Sequence, residues 1–256
     1  MITMTLNKPL RWSQGNAKLS KRIIHFSIPS GHSCPAADKC LSKADMTTGH
    51  ITDGPNTEYR CYAAMQEAVY PSLRSIRWNN LFRLKNNSRH KMFKLLSASL
   101  EPIHNQYILD HQQRPIIRAH VGGDFFNESY FLAWMDLARN YHPTQFYAYT
   151  NRLDLWVKHM DNIPENFELN ASRGGKHDHL IDKHKLKSAT VVFSHEQAKQ
   201  LNLELDHDDS HAYKPGPSFG QLIHGSQPKG SEASKAITKL KKLHGCTGHR
   251  ACSAIV

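Results

Sequence analysis

The feature that most restricts the fold of this chain is a regular alternation of strand-like and helix-like segments after Pro115. Short runs rich in β-branched and aromatic residues predict strands at 116–121, 145–150, 167–172, 189–194 and 218–224. Each run is followed by a segment with helical periodicity, the clearest being 127–140. A further strand is predicted at 22–28, which gives six strand–helix units. This order predicts βαβ connections and a parallel sheet.

The predicted strands carry polar side chains on one of their faces. In the second strand, Ile117 and Ala119 alternate with Arg118 and His120. Parallel strands that helices cover on both faces are normally apolar on both. One polar face instead predicts a lumen that holds water or a ligand. The predicted fold class is therefore α/β, a parallel-stranded (β/α)6 partial TIM-type barrel, in which Arg118 and His120 are lumen residues that orient a substrate.

The chain of 256 residues is long enough to form one sizeable domain. We predict a single (β/α)6-like domain over 1–245, with a cysteine loop at 29–61, and a C-terminal tail at 246–256. No apolar run approaches the length of a membrane span, and no secretory signal pattern is present. These features predict a cytoplasmic protein with no membrane partner.

Three of the five cysteines lie in the loop 29–61, at Cys34, Cys40 and Cys61. A reducing cytoplasm disfavours disulfides, so clustered thiols there indicate a metal centre or catalysis. A metal would also supply the free energy that orders a loop with little apolar content. A closed structural site needs a fourth ligand, which Cys246, Cys252 or a histidine could provide. The residues alone leave zinc and iron–sulfur open.

Two resemblances bear on this choice. The stretches "SCPAADKC", "RCYAA" and "RAHVGGDFF" are similar to an uncharacterised phage and plasmid protein family. Six βα units, a three-cysteine loop after the first strand and a Gly-Gly-acid motif after the second resemble the radical S-adenosylmethionine (SAM) superfamily. That resemblance implies a [4Fe-4S] cluster on Cys34, Cys40 and Cys61, an open iron that binds SAM, and a reductant. It implies an enzyme that cleaves SAM to a 5'-deoxyadenosyl radical. The spacing departs from the superfamily, with five and 20 intervening residues rather than three and two.

The superfamily resemblance also implies a SAM site. Gly122, Gly123 and Asp124 match the Gly-Gly-acid motif, whose backbone and carboxylate contact the methionyl amine, and Asp124 joins Arg118 and His120 as the predicted catalytic set. Further contacts to SAM are implied by position for Asn170, Ser172, Arg173, and either Tyr62 or Tyr59.

Two other sets of residues suggest partners. Asp208, Asp209 and His211 offer ligands for zinc or iron and are predicted near the mouth of the barrel. A formal charge of +11 and a basic run over 74–94 suggest nucleic acid as a partner. The function predicted is a radical SAM-like enzyme that modifies an unknown substrate, phosphorylated or nucleic acid. The alternative is a non-catalytic, zinc- or Fe–S-stabilised nucleic-acid-binding protein of phage or plasmid origin.

Overall fold

The computed structural model describes residues 9–243. Its strands are β1 (Ser13–Gln14), β2 (Ile23–His25), β3 (Ser42–Ala44), β4 (Ile51–Asp53), β5 (Ile116–Arg118), β6 (Gln145–Thr150), β7 (Phe167–Ser172), β8 (Ser188–Val192), β9 (Glu204–Leu205) and β10 (Phe219–Leu222). Its α-helices are α1 (Tyr62–Val69), α2 (Pro71–Leu84), α3 (Arg89–His111), α4 (Glu128–Asn140), α5 (Leu153–Lys158), α6 (His179–His184), α7 (His195–Gln200) and α8 (Glu232–Leu243).

Eight of these strands form one mostly parallel sheet in the order β1-β2-β5-β6-β7-β8-β10-β9. From β2 to β10 each strand pairs in parallel with the next strand of the sheet along the chain, and only β1 is antiparallel to its neighbour. No pairing between β1 and β9 is present in the part of the chain that the structure describes, so no closed barrel is formed there. The fold is mixed α/β, and all six predicted strand positions are occupied by strands.

The two faces of the sheet contact different surroundings. Ile24, Ile117 and Phe146 belong to a large apolar core shared with helices α3 and α4. The neighbouring residues Ile23 and Ile116 belong to a smaller inner cluster, which also contains Tyr147 and Phe219. The alternation expected from the sequence is therefore present along the regular strands, and the polar positions occur on the inner face.

This alternation ends where β5 ends, at Arg118. Val121, which the sequence pattern places with Ile117, instead belongs to the inner cluster. The His120 ring packs against Phe125 and Trp134 of the outer core. The period of two applies only while the backbone is extended, so the His120 ring turns toward the large apolar core, although Arg118 and His120 both line one cavity.

The cysteine loop has internal structure that the sequence did not predict. Strands β3 and β4 pair as an antiparallel hairpin, with Ser42 opposite Asp53. The hairpin lies between Cys40 and Cys61, so the long segment between these two cysteines is folded rather than irregular. The prediction of an irregular loop was wrong for this segment.

None of the helices within residues 9–243 combines the length and apolar content needed to span a bilayer. The predicted C-terminal tail, with Cys246 and Cys252, lies outside the described residues.

Candidate site at the carboxyl ends of the strands

Cys34, Cys40 and Cys61 line one cavity. The hairpin makes this convergence possible, because its base is closed by hydrogen bonds from the amides of Glu58 and Tyr59 to the carbonyl of Lys39, at 2.8 and 3.3 Å. The chain therefore enters the hairpin just after Cys40 and comes back beside Lys39 just before Cys61. The unusual spacing of the cysteines is compatible with a shared site for this reason.

The cavity lies where the parallel strands end. Its volume is about 150 Å³. Ligands of parallel α/β proteins bind at this edge of the sheet. The sequence had suggested the strand ends in general but not these lining side chains individually: Thr150, Asn151, Gln221 and His224.

The three cysteines are free thiols in the structure. The backbone N–H of Gly31 donates to Sγ of Cys34 at 3.3 Å. Burial raises the pKa of the Cys34 thiol, and the nearby charges of Asp124 and Cys61 raise it further. Burial and Cys61 likewise raise the pKa of the Cys40 thiol. These thiols would ionise readily only with a positive group beside them, such as a metal.

Among residues 9–243, no three His, Cys, Asp or Glu side chains are arranged to hold a single metal ion. A single zinc ion requires all of its ligands within one coordination sphere. In a [4Fe-4S] cluster each cysteine binds a different iron, so the sulfurs are more widely separated. The described residues therefore give no direct support to a metal centre on the three thiols, and both the zinc and the [4Fe-4S] assignments stay predictions.

Asp124 is buried at the wall of the cavity, and its carboxylate is held by its own chain. It accepts hydrogen bonds from Thr150 Oγ1 at 2.6 Å and from the amides of Phe125 and Asn151 at 2.7 and 2.9 Å. Burial raises the pKa of this carboxyl to about 6, although the three hydrogen bonds oppose the rise. The observed contacts fix the loop after β6 against the loop after β5.

The two glycines before Asp124 are explained by close packing. Gly123 has φ +90°, and a Cβ there would lie 2.4 Å from Cγ1 of Ile28 and 2.6 Å from Oγ of Ser33. A Cβ at Gly122 would lie 2.9 Å from Cζ of the buried Arg77. A side chain at Gly123 would displace the segment after β2 and the start of the cysteine loop, and one at Gly122 would displace Arg77 of α2.

Arg118 lies at the centre of a buried polar network on the inner face. Its Nη1 forms an ion pair with Asp209, and its Nη2 donates to the Tyr62 hydroxyl at 3.1 Å. Its Nε donates to the carbonyl of His120 at 2.8 Å. His120 Nε2 is 3.1 Å from the Tyr130 hydroxyl, and burial lowers its pKa to about 3, so the ring is neutral.

The remaining predicted SAM contacts divide into two groups. Ser172, Arg173, Tyr62 and Tyr59 all line the cavity with the cysteines. Asn170 is not among the lining residues, because its side-chain amide donates to the carbonyls of Ala148 and Ala212 on the inner face. The structure therefore brings most of the predicted site together and leaves Asn170 apart.

The second predicted metal cluster does not assemble among the described residues. Asp209 is committed to Arg118, whereas His211 Nδ1 lies 3.1 Å from Asp206. Asp208 accepts from the amide of Ser210. These residues precede β10 in the chain, and Asp209 contacts Arg118, which itself lines the cysteine cavity.

The basic run is only partly a surface feature. Arg77 is 1% exposed and pairs with the buried Glu67 at 2.8 Å. Arg74 is also buried, and its guanidinium binds carbonyls of the cysteine loop, including Met46. Lys85, Lys91 and Lys94 remain exposed. The two arginines hold α1 and the hairpin in place rather than facing solvent.

These observations define a class: an α/β protein with a mostly parallel sheet and a three-cysteine cavity at the carboxyl ends of its strands. The sequence profile of the Gene product 88 family matches residues 6–252, and the chain belongs to that family. Gene 88 protein of Mycobacterium phage D29 is 29% identical over 128 residues, 49% of this chain and 46% of that protein. Gene 88 protein of Mycobacterium phage L5 is 26% identical over 160 residues, 56% of this chain and 59% of that protein. The chain thus spans about half the length of these relatives, and no solved structure matches it.

Proposed function

We propose that this protein is an iron–sulfur enzyme of radical SAM type, located in the reducing cytoplasm, in which Cys34, Cys40 and Cys61 hold a [4Fe-4S] cluster. The observation that carries the proposal is the convergence of three free thiols on one cavity beside the Gly122–Asp124 loop. When bound, the cluster and SAM supply a 5'-deoxyadenosyl radical, with the electron drawn from an external reductant. The finer fold proposal is a (β/α)6 partial barrel of TIM type, supported by the sequential strand order.

The donor set suits such a group. Thiolates are the usual ligands of iron–sulfur clusters, and the Gly31 N–H directed at Cys34 Sγ would stabilise charge on that sulfur. Asn151 lines the cavity, and its Oδ1 is buried without a hydrogen-bond partner. An unpartnered buried acceptor favours a ligand that donates an N–H or O–H to it. Asp124 holds Asn151 in position by accepting a hydrogen bond from its backbone N–H.

Anaerobic reconstitution with iron and sulfide tests the proposal. We expect about four irons per chain, a broad visible charge-transfer absorption, and SAM cleavage after reduction. Cys34→Ala, Cys40→Ala and Cys61→Ala should each lose the absorption, while Cys246→Ala and Cys252→Ala serve as matched controls and keep it.

The alternative function is a metal-stabilised, non-catalytic nucleic-acid-binding protein. A colourless protein that retains zinc after reconstitution, or loss of metal in the two control variants, would establish a closed site and sink the radical SAM proposal.

A further inference from the structure

A second cavity opens beside the first, on the flank formed by residues 16–19, helix α1 and the loop after β10. Its volume is about 530 Å³, which is within the range of small-molecule sites. The two cavities share part of their wall, including Tyr62, Gln221 and His224. A molecule in the second cavity would therefore lie next to the three-cysteine cavity, across a wall that also includes Arg118 and Val121.

The charges of this second cavity favour an anion. Its charged lining consists of Lys18, Arg118 and Asp209, which leaves one net positive charge (two positive and one negative). Asp209 is already paired with Arg118 and accepts from the Tyr147 hydroxyl at 2.8 Å. Lys18 Nζ lies 3.9 Å from Asp209, beyond hydrogen-bond distance. Lys18 can thus turn to an anionic ligand without leaving a carboxylate unpaired.

His224 does not add a charge. Burial lowers the pKa of its imidazole, and the nearby Lys18 lowers it further. The neutral ring packs against Tyr62 with centroids 4.9 Å apart. The shared wall therefore carries the aromatic pair Tyr62 and His224, and its one charge, on Arg118, is already paired with Asp209. Lys18 is the cation that an incoming anion would meet.

The rim of the second cavity is apolar and exposed. Val69 and Tyr70 are 61% and 57% exposed, and they are adjacent members of a small set of large apolar side chains that residues 9–243 leave in solvent. Exposed aromatic and apolar side chains at the edge of a cavity are typical of ligand sites. Gln66 and Gln221 also line this cavity; Gln66 Oε1 accepts from Arg77 and Gln221 Nε2 donates to Tyr149. The other atom of each amide is the one that can pair with a donor or acceptor on a base edge.

We infer that the second cavity binds a nucleotide, with the phosphate at Lys18 and the base against Tyr70. A planar ring, an anionic group and a hydrogen-bonding edge are the three features that this lining matches, and the charge of +11 favours such partners. The binding does not require the cluster. Its role as the substrate site rests on the proposed function, whose substrate class it names.

Calorimetric titration of the full chain with AMP, CMP, GMP and UMP tests this site, with the matching nucleosides as phosphate-free probes. We expect saturable binding of at least one mononucleotide and about tenfold weaker binding of its nucleoside. K18Q should reduce the mononucleotide to the affinity of the nucleoside, and Y70A should weaken both. K21Q, which removes an exposed lysine of the same segment outside the cavity, should change neither.

A short single-stranded oligonucleotide distinguishes the source of the nucleotide. Tighter, Lys18-dependent binding of the oligonucleotide identifies nucleic acid, and binding of mononucleotides alone identifies a free nucleotide. Absence of saturable binding by all probes, or equal effects of K18Q and K21Q, overturns the inference. A cluster that fails to form while Lys18-dependent binding persists contradicts only the proposed function, and the reverse result contradicts only the nucleotide site.

Discussion

Arg118 and Asp209 form an ion pair across the inner face of the sheet, with side chains 9% and 0% exposed. Arg118 ends β5, whereas Asp209 belongs to the segment between β9 and β10, 91 residues further along the chain. The Tyr147 and Tyr149 hydroxyls also donate to Asp209, at 2.8 and 3.3 Å. One carboxylate therefore ties the segment before β10 to two central strands on the inner face of the sheet.

Asp209→Asn should be strongly destabilising. Asn has the same shape and also tolerates the φ of +66° found here, so the substitution isolates the charge. Removing one partner of a buried pair leaves the other charge uncompensated, which costs about 3–5 kcal/mol. Urea unfolding of the two chains measures this decrease in stability.

The matched control is Asp182→Asn, because Asp182 pairs with Arg173 at 2.6 Å on the surface. Exposed pairs contribute little, so this variant should unfold with the wild type. The double variant Arg118→Met/Asp209→Asn should recover much of the stability, because it removes both charges while Asn keeps the positive φ and an acceptor for the two tyrosines. Equal unfolding midpoints for Asp209→Asn and Asp182→Asn would show that the buried pair contributes no more to the free energy of unfolding than the exposed pair does.

Gly123→Ala should destabilise the protein by about 1–3 kcal/mol, because the residue adopts φ +90° and has no room for a Cβ. The nearest obstacles include the carbonyl oxygen of Ile28 at 2.9 Å, which is backbone and cannot simply rotate away. Gly216→Ala is the control, since nothing lies within 4 Å of a Cβ there. Thermal unfolding compares the two, and a neutral Gly123→Ala would contradict this account of the motif.

The regular strands could be predicted from the sequence because one face of each packs in the large apolar core while the other carries polar side chains, so the residue type alternates along the strand. β6 and β7 were predicted to the residue, at 145–150 and 167–172. Helix α4 was predicted within one residue, because Asn127 caps its first turn by accepting from the amide of Tyr130. Local pattern and tertiary environment agree in these segments, which is the condition under which sequence reasoning works.

The hairpin and the buried charges could not be predicted in the same way. β3 and β4 are short and carry Lys43 and Thr52 on their exposed side, so neither shows an apolar stripe. Glu67 and Arg77 look like surface residues until the fold brings them together. Partners that lie far apart in the sequence leave no periodic signal along the chain. The pairing of Asp209 with Arg118 was missed for the same reason.

Nucleic-acid binding through the basic run should depend mainly on its exposed lysines, because the exposed Arg89 is already paired with Asp136. A Lys85→Gln/Lys91→Gln/Lys94→Gln variant should weaken binding to duplex DNA and flatten the dependence of affinity on salt, by about 0.9 in the log–log slope for each phosphate that is no longer neutralised. Fluorescence anisotropy over a salt series measures both quantities. Salt-independent affinity, or no binding by the wild type at low salt, would leave these lysines as a solvated helix face.

The buried His120 should make the protein sensitive to mild acid. Its pKa is lowered from 6.5 to about 3 by burial and by Arg118, so the folded protein keeps the ring neutral while the unfolded chain takes up a proton near pH 6.5. As pH falls below that value the unfolded state gains protons that the folded state does not, and stability decreases. The decrease should reach about 3 kcal/mol at pH 4, from 1.36 kcal/mol for each pKa unit.

Urea unfolding from pH 8 to pH 4 measures this decrease against His120→Gln, which lacks the titrating ring, and against His50→Gln, which removes an exposed one. The gap between wild type and His120→Gln should be constant above pH 7 and shift in favour of the variant below pH 6. The curve of His50→Gln should follow the wild type, and a His120→Gln curve parallel to both at every pH would refute the neutral, buried imidazole.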